Sequence, residues 1–190
     1  MNLTGPRFAA VLLALVLAVP FAGMSAQGQQ PVGVDDLLSQ LSDQPGSHVS
    51  FSLDRSTLDA ARGYLGDKPA GVVLNSITFD TYRYSERAFY IPETMNSVNA
   101  AYHAAGWRHL INTTSPAKGA QPAHPVTDLW LHYHGTEIDD VTVLVRAPRE
   151  MSLIQISGML RPLDLIHLGG HFGIPKVDPN AVMVPAPEGK

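Results

Sequence analysis

The sequence predicts an α+β fold: a mostly antiparallel sheet of about five strands with helices packed on one face, in a single domain. Three observations carry this. Helical periodicities cluster at the two ends of the chain. Strand-like alternation runs almost without break through the second half. The links between those later strands are too short for the crossovers that parallel strands need, so they form a meander.

Each element has its own warrant. Val34, Leu37, Leu38 and Leu41 fall at i, i+3, i+4 and i+7, one apolar stripe on a short helix. Asp35 and Asp36 occupy its first turn, where the helix dipole favours acids, and Gln44-Pro45-Gly46 stops it. His48 to Leu53 alternates as a strand, with Val49, Phe51 and Leu53 on one side. Ser56 and Asp59 read as a capping box for a second helix, whose buried side is Leu58, Ala61 and Leu65 and whose end is Gly66. Gly71 to Tyr84 is rich in β-branched and aromatic residues and reads as a long strand. Pro92 opens a third helix with the stripe Met95, Val98, Tyr102, Ala105, and Gly106 ends it. A short strand over Arg108 to Thr113 and a loop from Ser115 to Pro125 follow. Asp128–His134, Ile138–Ala147 and Glu150–Met159 are the three meander strands, turned at Gly135-Thr136-Glu137 and Pro148-Arg149. A last helix runs from Leu163 to about Phe172.

Ahead of this domain stands an address. Arg7, the apolar run Phe8–Phe21 and the small residues Gly23, Ser25 and Ala26 have the order of a secretory signal peptide, cleaved near Ser25 or Ala26. The apolar run is shorter than the ~18 residues a spanning helix needs, and no later segment could span a bilayer. The layout is therefore residues 1–26 signal peptide, 27–33 flexible spacer, 34–175 folded domain and 176–190 Pro-rich tail.

Composition excludes several function classes. Among 190 residues, 45% are hydrophobic and none is cysteine, so there is no disulfide scaffold, thiolate metal site or cysteine nucleophile. With 13 Lys and Arg against 17 Asp and Glu, and −5 net once the leader's one arginine is removed, nucleic-acid binding is not expected. No GxSxG elbow and no GxGxxG after a strand is present.

Two constellations remain. Asp128, Trp130, His132 and His134 project from one side of their strand, and Thr142, Leu144 and Arg146 can join them from the next. Because Leu129, Leu131 and Tyr133, with Val141, Val143 and Val145, form the more apolar side, the helices should cover that side. The first side is then left open, and Trp130, His132, His134, Leu144 and Arg146 would form a partner-binding surface. The alternative is a divalent transition metal on Asp128, His132 and His134, joined by the i, i+4 pair His167 and His171 of the last helix. Without a metal, the bland reading is a wet sheet face carrying two solvated histidines and no cofactor. Asp139 and Asp140 beside Glu137 read as turn chemistry, and Asn112-Thr113-Thr114 is a formal glycosylation acceptor of little weight.

The pieces SFSLDRSTLDAARGYL, SITFDTYRY, AAGWRHLI, DLWLHYHGTEIDDVTVLVR, EMSLIQISGML and PLDLIHLGGHFGIP, in this order behind a signal peptide, resemble the DUF4252 family of small exported bacterial proteins. The likeness covers roughly residues 34 to 175, and its most specific parts are Gly106-Trp107, the hairpin pair, Ile156-Ser157-Gly158 and the last helix. It implies bacterial export and a compact α+β fold, and no activity. Many such proteins look like lipoproteins. This chain has no cysteine to acylate, so a periplasmic or secreted protein without a lipid anchor is expected. The leading functional expectation is a non-enzymatic module that binds an envelope protein or a ligand, with a metal-binding protein or metallo-hydrolase as its rival.

Overall fold

The computed structural model describes residues 30–60, 73–111, 120–161 and 182–183. The elements are α1 (Val34–Ser39), β1 (Ser47–Asp54), α2 (Arg55–Ala60), β2 (Val73–Arg83), α3 (Pro92–Ala104), β3 (Arg108–Ile111), β4 (Val126–His134), β5 (Glu137–Arg146), β6 (Glu150–Leu160) and β7 (Val182–Met183). The strands form one sheet in the order β1-β2-β6-β5-β4-β3-β7, and every pair is antiparallel. The fold class is α+β, as the patterning predicts, and β4-β5-β6 is the expected meander. The sheet is larger than expected because the first three strand segments all join it. The segment expected to be a tail adds the two-residue β7. The signal peptide, Ala61 to Gly66, Asn112-Thr113-Thr114 and the last helix with His167 and His171 lie outside the described residues.

Local chemistry explains the boundaries. The apolar stripes of α1 and α3 are largely the buried ones: Val34 and Leu38 in α1, Met95, Val98 and Tyr102 in α3, while Ala105 is exposed at the C-cap. Gly106, at φ 84°, closes α3: its N–H bonds to His103 O, and the Trp107 N–H bonds back to Tyr102 O. Gly135, at φ 65°, begins the two-residue turn between β4 and β5, where a positive φ matches the twist of the strands. The expected Ser56/Asp59 box is replaced. Asp54 caps α2, accepting from the Thr57 N–H at 2.8 Å and from Ser56 Oγ at 2.8 Å, while Asp59 faces Arg55. Gly158 has a steric reason to be glycine: a Cβ there would fall on the Val73 carbonyl oxygen, where β2 and β6 slip register between Leu74 and Ser76.

The sheet is buried on both faces at its centre. One layer joins α1 and α3 to Trp130, Leu144, Met151 and Leu153. The opposite layer gathers Leu58 of α2 with Ile77, Leu129, Leu131, Val141, Val143, Ile154 and Ile156. The face expected to be open is therefore covered, and it is the one beneath α1 and α3. Tyr102 stacks on the Trp130 ring with centroids 4.6 Å apart, and His109 stacks on its other side at 4.9 Å. Trp130 and Leu144 are at most 1% exposed and Arg146 is 3% exposed. A face carrying Asp128, Thr142 and Arg146 can be buried because its charges satisfy one another. No helix among the described residues is long and apolar enough to cross a membrane.

Candidate functional site

Three places hold the chemistry of the sheet. The first is the centre of the helix-covered face. Asp128 on β4 is 1% exposed and accepts from Arg146 Nε at 3.2 Å and Nη2 at 2.9 Å, both on Oδ2. His109 Nε2 lies 3.1 Å from its other oxygen. In the hairpin register Asp128 stands opposite Leu144, so Arg146 reaches it on the diagonal. This carboxylate is fully engaged inside the core, which removes it from any set of metal ligands. Trp130, Leu144 and Arg146 cannot form a partner surface from this position. They are the floor on which α1 and α3 sit.

The second place is the end of the β4-β5 hairpin. The register shifts there, His132 pairing with Asp140 and Tyr133 with Ile138, so Asp139 is an extra residue on β5. The bulge brings both carboxylates to the side of His132. His132 Nδ1 lies 2.7 Å from Asp139 Oδ1, and the ligand atoms of His132, Asp139 and Asp140 all lie within 4.8 Å of one another. The Trp107 ring flanks His132 at 5.3 Å. His134 is exposed at the strand end, outside this group. The carboxylates beside His132 are those of Asp139 and Asp140, not that of Asp128, which the period of two sets on its side. A bulge at Asp139-Asp140 breaks the period of two, and strict alternation cannot reveal it.

The third place was not singled out from sequence. Between α1 and the β1-β2-β6 part of the sheet lies a half-open cavity of ≈ 280 Å³. Its floor is Thr78, Asp80, Tyr82, Leu153 and Gln155, and its walls are Gln30, Asp35, Leu38 and His48. The register Ser50↔Asp80 and His48↔Tyr82 sets His48 diagonally across from Asp80, 2.9 Å away, with its ring stacked on Tyr82 at 4.3 Å. Asp35 approaches from the first turn of α1. Partial burial, then the negative charges of Asp80 and Asp36, push its carboxyl above the usual range. Burial first, and then the carboxylates of Asp80 and Asp35, raise the Tyr82 phenol. The cavity thus sets two carboxylates, Asp35 and Asp80, among the hydrogen-bonding groups of Gln30, His48, Thr78, Tyr82 and Gln155. The sequence showed each residue but not their meeting, because His48 and Asp80 belong to separate segments joined only by strand pairing.

Comparison with protein-family models, curated proteins and solved structures returns no match.

Proposed function

We propose that this protein is an exported, non-enzymatic binding module of the bacterial envelope, and that its ligand is a small polar molecule carrying an ammonium or guanidinium group. The observation that carries the reading is the convergence of Asp35, Asp80 and His48 on one cavity of ≈ 280 Å³, just below the ~300–1,000 Å³ usual for ligand sites. A cationic group between the two carboxylates would offset the repulsion that adds to burial in raising Asp35, and Thr78, Gln155 and Gln30 supply orienting donors and acceptors. Export rests on the leader-like N-terminus and on the resemblance to DUF4252. The binding role passes from the central sheet face, which is buried, to this cavity. Thermal-shift titration with arginine, small diamines, neutral sugars and dicarboxylates tests the ligand class. Amine or guanidine ligands should raise the midpoint, neutral and anionic ones should not, and Asp80→Asn should abolish the response. A ligand at 100-fold over its Kd stabilises by about 2.7 kcal/mol, well within detection. Equal responses to all four classes, or none, would sink the idea.

A second reading keeps the metal alternative in altered form. His132, Asp139 and Asp140 could hold one divalent ion with open positions for water. Elemental analysis of the purified protein, before and after dialysis against zinc or manganese, decides it. Bound metal that persists in His132→Ala argues against these ligands.

A further inference from the structure

Strand β1 ends the strand order and pairs with β2 alone among the described residues, over eight residues without a register shift. An edge of this kind offers a row of backbone donors and acceptors to another strand. Proteins usually blunt it with a proline, a bulge or an inward-facing charge. Between Val49 and Leu53 there is none of these. Instead Val49 and Phe51 are 63% and 54% exposed, and Phe51 lies stacked on Phe79 at 4.7 Å, an apolar row that stops at the edge.

The order of residues on this edge identifies what would cover it. In an antiparallel pair, residues directly opposite share a face, so a two-fold axis must pass through one residue of the strand. With the axis at Phe51, Phe51 meets Phe51 of the second copy, and Val49 meets its Leu53. On the other face Ser50 meets its Ser52 and His48 meets its Asp54. Apolar groups oppose apolar groups, hydroxyls oppose hydroxyls, and a histidine opposes a carboxylate at both ends. The alternation of the strand sets like against like at any such axis; only the axis at Phe51 brings the two phenylalanines together and sets His48, bonded to Asp80 within its own chain, across from Asp54. We propose that β1 pairs with β1 of a second copy of this chain, antiparallel and centred on Phe51. The two sheets then run on as one, and Phe79, Phe51, Phe51 and Phe79 form a continuous aromatic row across the junction. The proposal rests on the edge and its register, independently of what the cavity binds.

Sedimentation velocity of the purified protein should show a dimer. Phe51→Lys places two like charges face to face at the axis and should give a monomer with an unchanged circular-dichroism spectrum. The chain has no cysteine, so introduced thiols give a clean second readout. Phe51→Cys should form a disulfide-linked dimer on mild oxidation, because residues opposed across an antiparallel pair have Cα atoms about 4.5–5.5 Å apart, within the disulfide range. Val49→Cys should not link to itself, since the two copies of that residue would stand about 13 Å apart along the strands. A mixture of Val49→Cys and Leu53→Cys proteins should link as a heterodimer. A monomer at every attainable concentration, a dimer that survives Phe51→Lys, or linking of Val49→Cys as efficient as that of Phe51→Cys would overturn the proposal.

Discussion

Asp128 and Arg146 show how a residue pair can mislead a pattern and still determine a fold. Each breaks the apolar alternation of its strand, which reads as a side facing water. Together they form a buried, doubly donated ion pair with His109 on the second oxygen, and the side they occupy becomes core. The turn alone does not bring them together: it pairs His134 with Glu137, and only the extra residue Asp139 carries Asp128 opposite Leu144, within diagonal reach of Arg146. Removing one partner should be far worse than removing both. Arg146→Met leaves a carboxylate in the core and should cost about 3–5 kcal/mol, whereas Asp128→Leu with Arg146→Met should recover most of that loss. Urea denaturation of the two single variants and the double variant measures the coupling. Additive losses would show that the pair does not act as a unit.

Elements with strong local signals were legible, and those defined by a neighbour were not. The stripes of α1 and α3, the glycine that ends α3 and the meander strands follow from patterns within ten or so residues, and the structure has them at nearly the expected bounds. The cap of α2 lies two residues before the Ser56 that the capping-box pattern names, because Asp54 ends one element while opening the next. The hydrogen bond from the Thr57 backbone, followed by side-chain bonds from Thr57 and Ser56, lowers the Asp54 carboxyl below its ordinary 3.8. Its folded value is depressed, so its contribution is present above the unfolded value and fades as pH falls through the folded one. Wild-type protein should therefore lose stability on acidification below about pH 4 more steeply than Asp54→Ala. Parallel thermal melts through the acid range check this, and identical slopes would remove the cap from the account.

At the scale of the whole molecule, the sheet is a wall between two apolar layers, with one buried ion pair at its centre and the two groups open to solvent toward its ends. The class of fold was readable because antiparallel links are short. Which face the helices cover was not, because both faces of β4 and β5 carry large apolar groups and only tertiary packing decides between them. The same packing encloses two tyrosines on the covered face. Tyr102 is sandwiched on Trp130 with Gln30 Nε2 donating to its oxygen at 3.0 Å, and Tyr90 donates to Ala147 O at 2.7 Å and Glu150 O at 3.0 Å. Burial, the largest cause for both, drives their phenols well above the ordinary 10.0. A raised folded value means that the stabilisation is intact below the unfolded value and disappears as pH rises through the folded one, so the fold should fail on the alkaline side. Of the six tyrosines, Tyr90 and Tyr102 should ionise only as the chain unfolds. In a spectrophotometric titration their share of the phenolate absorbance should appear together with loss of the near-ultraviolet circular dichroism. Tyr90→Phe should remove one phenolate from that late step, and it should lower stability at neutral pH through the lost bonds to the β5-β6 turn. If Tyr90 and Tyr102 titrated reversibly near 10 with the dichroism intact, the covered face would be open to solvent and the two-layer core would be wrong.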